Sequence, residues 1–226
     1  MEQTLQEQIR QEQEALIAAP RRPYQALVQT LSNIFHPLLS LTYAALVVCF
    51  YTPLMVYGTP IKILFVGEVA FFTLVLPVLV ITLLHVFHVI GHWALRDVRD
   101  RTIPFLTNFA CYLACYLVLQ RNVFIPTWVQ MPYFASVMLT FVAWIVSFWW
   151  KISAHASGNS AAMTFYLILY YYLPDLVPLW LVFGMIIVTG AVCSTRLYLG
   201  RHTLAQIGAG ALLGISTMLI SAMIYF

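Results

Sequence analysis

Long apolar runs alternate with short polar breaks along this chain. Residues 1–37 are the exception, a mixed polar and amphipathic segment. Gln and Glu dominate up to Glu14, with Leu5, Ile9, Leu16 and Ile17 at near-helical spacing, which predicts a surface helix. A break follows at Ala19-Pro20-Arg21-Arg22-Pro23. A second amphipathic stretch, 24–36, leads to Pro37. Apolar runs then fill about 38–57, 61–93, 104–119, 133–150, 161–173, 177–193 and 204–226. A membrane-crossing helix needs about 20 apolar residues. The pattern therefore predicts an all-α polytopic membrane protein, a bundle of six or seven transmembrane helices. Residues 1–37 are its surface segment and 38–226 a single transmembrane domain. Polar segments at 96–104, 151–160 and 194–203 are each separated by two runs, so all three fall on the same membrane face. The N-terminal segment joins them there if the first run crosses.

Composition supports this. Hydrophobic residues make up 62% of the 226 and charged residues only 8%. A soluble domain carries about 25% charged residues, so soluble and disordered classes are excluded. The net charge of +3 reflects scarce acids rather than a basic cluster, and nucleic acid is not an expected partner. Cys49, Cys111, Cys115 and Cys193 all lie in apolar stretches without a C-x-x-C pair and read as packing residues. The polar first 35 residues lack the apolar core of a signal peptide.

The location of the few charges changes the picture. Beyond residue 37, most fall in the three co-facial segments: Arg96, Asp97, Arg99, Asp100, Arg101, Lys151, Arg196 and Arg201, with His92, His155 and His202 beside them. Cations in excess over acids, next to helix starts, suit an anionic ligand such as phosphate. The positive-inside tendency accounts for the cations but not for the histidines. Glu68 and the stripe His85, His88, His92 lie in the second run; a buried, hydrogen-bonded helix face is the simpler reading of that stripe than a metal site. Asp97-x-x-Asp100 has the spacing of a Mg²⁺–diphosphate site, but the second acidic motif such a site needs is missing.

Three partial motifs occur in order. Arg196 and His202 are separated by five residues within Thr195-Arg196-Leu197-Tyr198-Leu199-Gly200-Arg201-His202-Thr203-Leu204-Ala205-Gln206. This resembles the third signature of the type 2 phosphatidic acid phosphatase superfamily, Ser-Arg, five residues, His, three residues, Asp. Lys151-Ile152-Ser153-Ala154-His155 resembles the second signature, Pro-Ser-Gly-His, through Ser153 and His155. The stretch from Arg96 to Pro104 is similar in length to the first, Lys, six residues, Arg-Pro, with Ile103 at the Arg position. The resemblance covers about residues 90–215, placing a phosphatase-like, motif-bearing core at about 90–226.

The resemblance implies a metal-independent hydrolase, without cofactor, that removes a phosphate or diphosphate from a lipid head such as phosphatidic acid or an isoprenyl diphosphate. Its substrate would enter from the bilayer of a bacterial inner (plasma) membrane. It implies that His202 attacks phosphorus to form a phosphohistidine, that His155 protonates the leaving oxygen, and that Arg196 stabilises the phosphoryl charge with them. Arg96, Arg101, Lys151 and Ser153 would bind phosphate. The family's Asp is replaced by Gln206, whose carbonyl can still orient His202. A non-catalytic lipid-phosphate binding or transport protein on the same scaffold is the alternative.

Overall fold

The computed structural model describes residues 24–88 and 98–226, apart from the side chains of 98–101. Among these residues the regular structure is helical, with no strand.

The first described helix, α1 (Gln25–Ile34), meets α2 (Pro37–Tyr51) at a bend of 53°. The bend has a local cause. His36 is extended, with φ −68° and ψ 138°, and its ring accepts the Leu38 amide at 3.3 Å. Pro37 fills the first helical position, where no amide hydrogen is needed. After a 3-10 turn at Pro53–Val56, α3 (Thr59–Ala70), a π-helical turn (Phe71–Val75) and α4 (Leu76–Val86) continue as one apolar rod of 28 residues. Pro77 has no amide to give the Thr73 carbonyl four residues back, and the π turn accommodates the gap.

The sequence pattern carried this span to about residue 93. The helix instead stops at Val86. The Phe87 and His88 amides fold back onto the Leu83 and His85 carbonyls, and His88 takes a left-handed φ of 56°. His85 and His88 therefore do not share a helix face, and His92 lies outside the described residues.

Five helices follow: α5 (Val98–Gln120), α6 (Met131–Val146), α7 (Ala154–Tyr172), α8 (Leu179–Tyr198) and α9 (Leu204–Tyr225). Five described segments are long and apolar enough to cross a membrane, and the bent α1–α2 pair makes a sixth. The segment outside that set is α7, and its surroundings explain its polarity. Ser157, Asn159, Ser160, Thr164 and Phe165 are all buried, and the helix packs on α2, α6, α8 and α9. Small and hydroxylated residues suit a helix whose neighbours are other helices rather than lipid.

Small residues set how closely α7 is held. A Cβ on Gly210 would lie 2.7 Å from the Ser153 carbonyl, and one on Gly214 would run into the Ser157 carbonyl. On another side of α7, a Cβ on Gly158 would lie 2.8 Å from Cβ of Pro37. Thus α7 is clasped between α9 and the start of α2, which fixes where their polar ends meet. Gly208 faces open space. Gly214→Val is expected to destabilise the detergent-solubilised protein by at least ~1–3 kcal/mol, the usual cost of overpacking. Gly208→Ala should leave the melting temperature unchanged or slightly raised. Equal melting temperatures for the Gly214 variant and the parent would refute the clasp.

Candidate active site

The start of α7, the end of α8, the start of α9 and the α1–α2 bend converge at one end of the bundle. They enclose the head of a cavity of about 470 Å³. His36, Lys151, His155, Arg196, Arg201 and His202 line its polar end, and no described carboxylate lines it. Its remaining walls are largely apolar, with Leu41, Val78, Ile81, Phe105, Phe165 and Met218 among them. Ala154 and Phe165 both border it, eleven residues apart on α7. At about 1.5 Å per residue it runs ~16 Å down the bundle, near half of a bilayer's ~30 Å hydrocarbon core. The cavity is amphiphilic along its length, cationic at the head and apolar below.

The residues of the 151–160 and 194–203 segments thus come together, although they are carried on separate helices. Pro104 from the 96–104 segment also borders the cavity. Arg96 lies outside the described residues, as does the side chain of Arg101.

His202 precedes α9, whose N-cap is Thr203. Thr203 and Gln206 form a reciprocal capping box: the Thr203 hydroxyl accepts the Gln206 amide, and Gln206 Oε1 accepts the Thr203 amide at 3.2 Å. The same Oε1 stands 3.1 Å from His202 Nδ1. This fixes a proton. The Thr203 N–H can only donate, so the amide atom facing it must be the oxygen. Nδ1 must then carry hydrogen to reach that oxygen, and in the neutral ring Nε2 keeps the lone pair.

His155 sits in the first turn of α7, outside the apolar spans. Its Nε2 lies 3.3 Å from the Ser32 carbonyl, which accepts its N–H. Burial, then Arg196, His36 and His202 nearby, push its pKa down to about 3, against the raising effect of the Ser32 contact. The imidazole is neutral in this arrangement. Arg196 donates Nη1–H to Ser32 Oγ at 3.0 Å, while its Nε is buried without a partner among the described residues. An oxyanion in the cavity head would satisfy such a donor.

Ser153 departs from its expected place. It is fully buried, does not border the cavity, and its hydroxyl accepts the Ala156 amide as the N-cap of α7. A helix N-cap has first claim on such a hydroxyl. Its amide donates to the Gln206 carbonyl, tying the starts of α7 and α9.

Two residues at this site were not identified from sequence. Ser32 is fully buried and holds both Arg196 and His155. The His36 ring meets that of His155 edge-on, with centroids 4.9 Å apart. The Asn159 amide donates to the Phe35 carbonyl between them. The available signal was parity: counting crossings puts residues 24–37 on the polar face.

Residues 146–226 match the PAP2 superfamily. The matched segment contains Lys151, His155, Arg196, Arg201, His202 and Gln206, but not Ser32 or His36. Members of that superfamily are phosphatases, and the match together with the apolar helices supports a lipid-related, phosphatase-family role in a membrane. No curated protein and no solved structure matches the chain.

Proposed function

We propose that this protein is an integral-membrane lipid phosphatase that hydrolyses a phosphate or diphosphate from a lipid head through a phosphohistidine. One observation carries the reading: a single cavity has a cationic head lined by no carboxylate among the described residues and containing an oriented histidine, and an apolar shaft one leaflet deep. A phosphorylated amphiphile matches both ends, with its tail in the shaft and its phosphate among Arg196, Lys151, Arg201 and the starts of α7 and α9.

The chemistry follows from the proton positions. His202 Nε2 attacks phosphorus, an N–P bond forms, and the bond from phosphorus to the leaving oxygen breaks. Gln206 Oε1 holds Nδ1–H throughout. Arg196 and the neighbouring cations take up charge on the phosphoryl oxygens. His155 protonates the leaving oxygen. Burial is the main cause of its resting neutrality, so the role requires the phosphate dianion itself beside the ring, whose charge favours the protonated form. Water then attacks the phosphohistidine, giving its proton to His155, and His202 is regenerated as phosphate departs.

The second reading, a lipid-phosphate binder without turnover, rests on Gln206, which lacks the charge a carboxylate would lend to His202. The separating experiment uses purified protein in nanodiscs with excess chelator. Phosphate release from phosphatidic acid or an isoprenyl diphosphate is expected to persist there. Binding of both lipids without any release would favour the binder.

A further inference from the structure

The α1–α2 bend brings one residue to the cavity head that lies outside the matched segment. His36 is the N-cap of α2, and its Nδ1 accepts the Leu38 amide. That bond fixes the tautomer. A nitrogen accepting a backbone N–H bears no hydrogen, so Nε2 carries the ring proton.

Capping alone does not account for a histidine here. Helix N-caps favour Ser, Thr, Asp and Asn, small side chains with one acceptor. Histidine adds a second nitrogen on the far side of its ring, and this ring borders the cavity beside His155, Arg196 and His202. Its position is fixed at several points. Phe35 accepts from Asn159, Ser32 holds Arg196 and His155, and Pro37 packs against Gly158 so closely that a Cβ there would lie 2.8 Å away. The bend is built into the site rather than resting over it.

We propose that His36 is a third histidine of the phosphate site, donating its Nε2–H to a phosphoryl oxygen of the bound head group. This rests on the lipid-phosphate reading above. It assigns to the N-terminal region, outside the phosphatase-like segment, a direct contact with substrate. As a neutral donor His36 loses no proton in the reaction; it stabilises phosphoryl charge alongside Arg196.

The test separates capping from phosphate contact. His36→Asn and His36→Ser keep a cap acceptor but lack the distant N–H donor. Two measurements are made on the full chain in detergent: the rise in melting temperature with inorganic phosphate, which reports affinity, and kcat/KM for phosphate release from dioctanoyl phosphatidic acid. Both variants are expected to melt like the parent without phosphate, to need at least ~10-fold more phosphate for the same rise, and to lose ~10–100-fold in kcat/KM. Parent-like phosphate binding by both variants overturns the proposal and leaves the phosphatase reading standing. If the parent itself neither binds phosphate nor releases it, the phosphatase reading fails and this proposal with it. If an Ala variant loses stability and the Asn variant regains both stability and activity, His36 is a cap only.

Discussion

Replacing His202 with alanine is expected to lower phosphate release from a lipid phosphate by at least ~10³-fold, with the melting temperature little changed. The size follows from the role. Removing a nucleophile removes the covalent route itself, and losses of 10³ to 10⁶ are the usual result; ~10³-fold is ~4 kcal/mol of barrier. The small effect on stability follows from position. His202 precedes α9, and the capping box of Thr203 and Gln206 remains when its ring is removed. The parent enzyme, quenched in alkali during turnover of a radiolabelled lipid phosphate, should retain a base-stable, acid-labile label that the alanine variant lacks. Unchanged release by His202→Ala would end the phosphohistidine mechanism. Loss of release with label still bound would move the nucleophile elsewhere in the cavity head.

The sequence disclosed this part of the site because its residues are close in the chain and their spacing is helical. His202 and Gln206 are four residues apart across a helix start, so their contact is local. Arg196 is one helix end earlier. The approach of Lys151 and His155 followed from counting apolar runs, which works because a crossing must bury its backbone hydrogen bonds within a helix. Contacts made across long separations were not legible. Ser32 and Arg196 are 164 positions apart, and what joins them is the packing of α1 on α8, which no local pattern announces. Ser153 shows a different limit. Its spacing fitted a phosphate-binding motif, yet the same hydroxyl is the natural cap of α7, and the two roles look alike until the helix start is located. The second span was drawn too long because apolarity continues past Val86 while the helix ends there in a closing turn, with His88 in the left-handed region. The polar character of α7, less apolar than the spans around it, marks the helix enclosed by protein on most sides.

Gln206→Glu gives the second large effect, in the opposite direction: a rise in turnover of roughly 10²-fold. The amide oxygen of Gln206 already provides the geometry, accepting from the Thr203 amide and from His202 Nδ1. What it lacks is charge. As Nε2 attacks phosphorus the imidazole becomes positive, and a carboxylate in contact with Nδ1–H stabilises that charge where an amide cannot. In a catalytic triad, exchanging Asp for Asn costs about 10⁴-fold, in part through the wrong tautomer; Gln206 already holds the right tautomer, so only the part due to charge, roughly 10²-fold, is there to be recovered. Glutamate keeps the length of the side chain and completes a Thr-x-x-Glu capping box, so the start of α9 is not weakened. One opposing effect is a negative charge placed near an incoming dianion, which should raise KM. The expected signature is therefore kcat up and KM up together, with the melting temperature held. A binding protein without turnover that acquires measurable phosphate release through this one substitution would place the parent as a catalytic scaffold lacking only that charge. A Gln206→Glu variant that binds phosphate, keeps its stability and shows no gain in kcat would rule out His202 as a nucleophile limited by its partner.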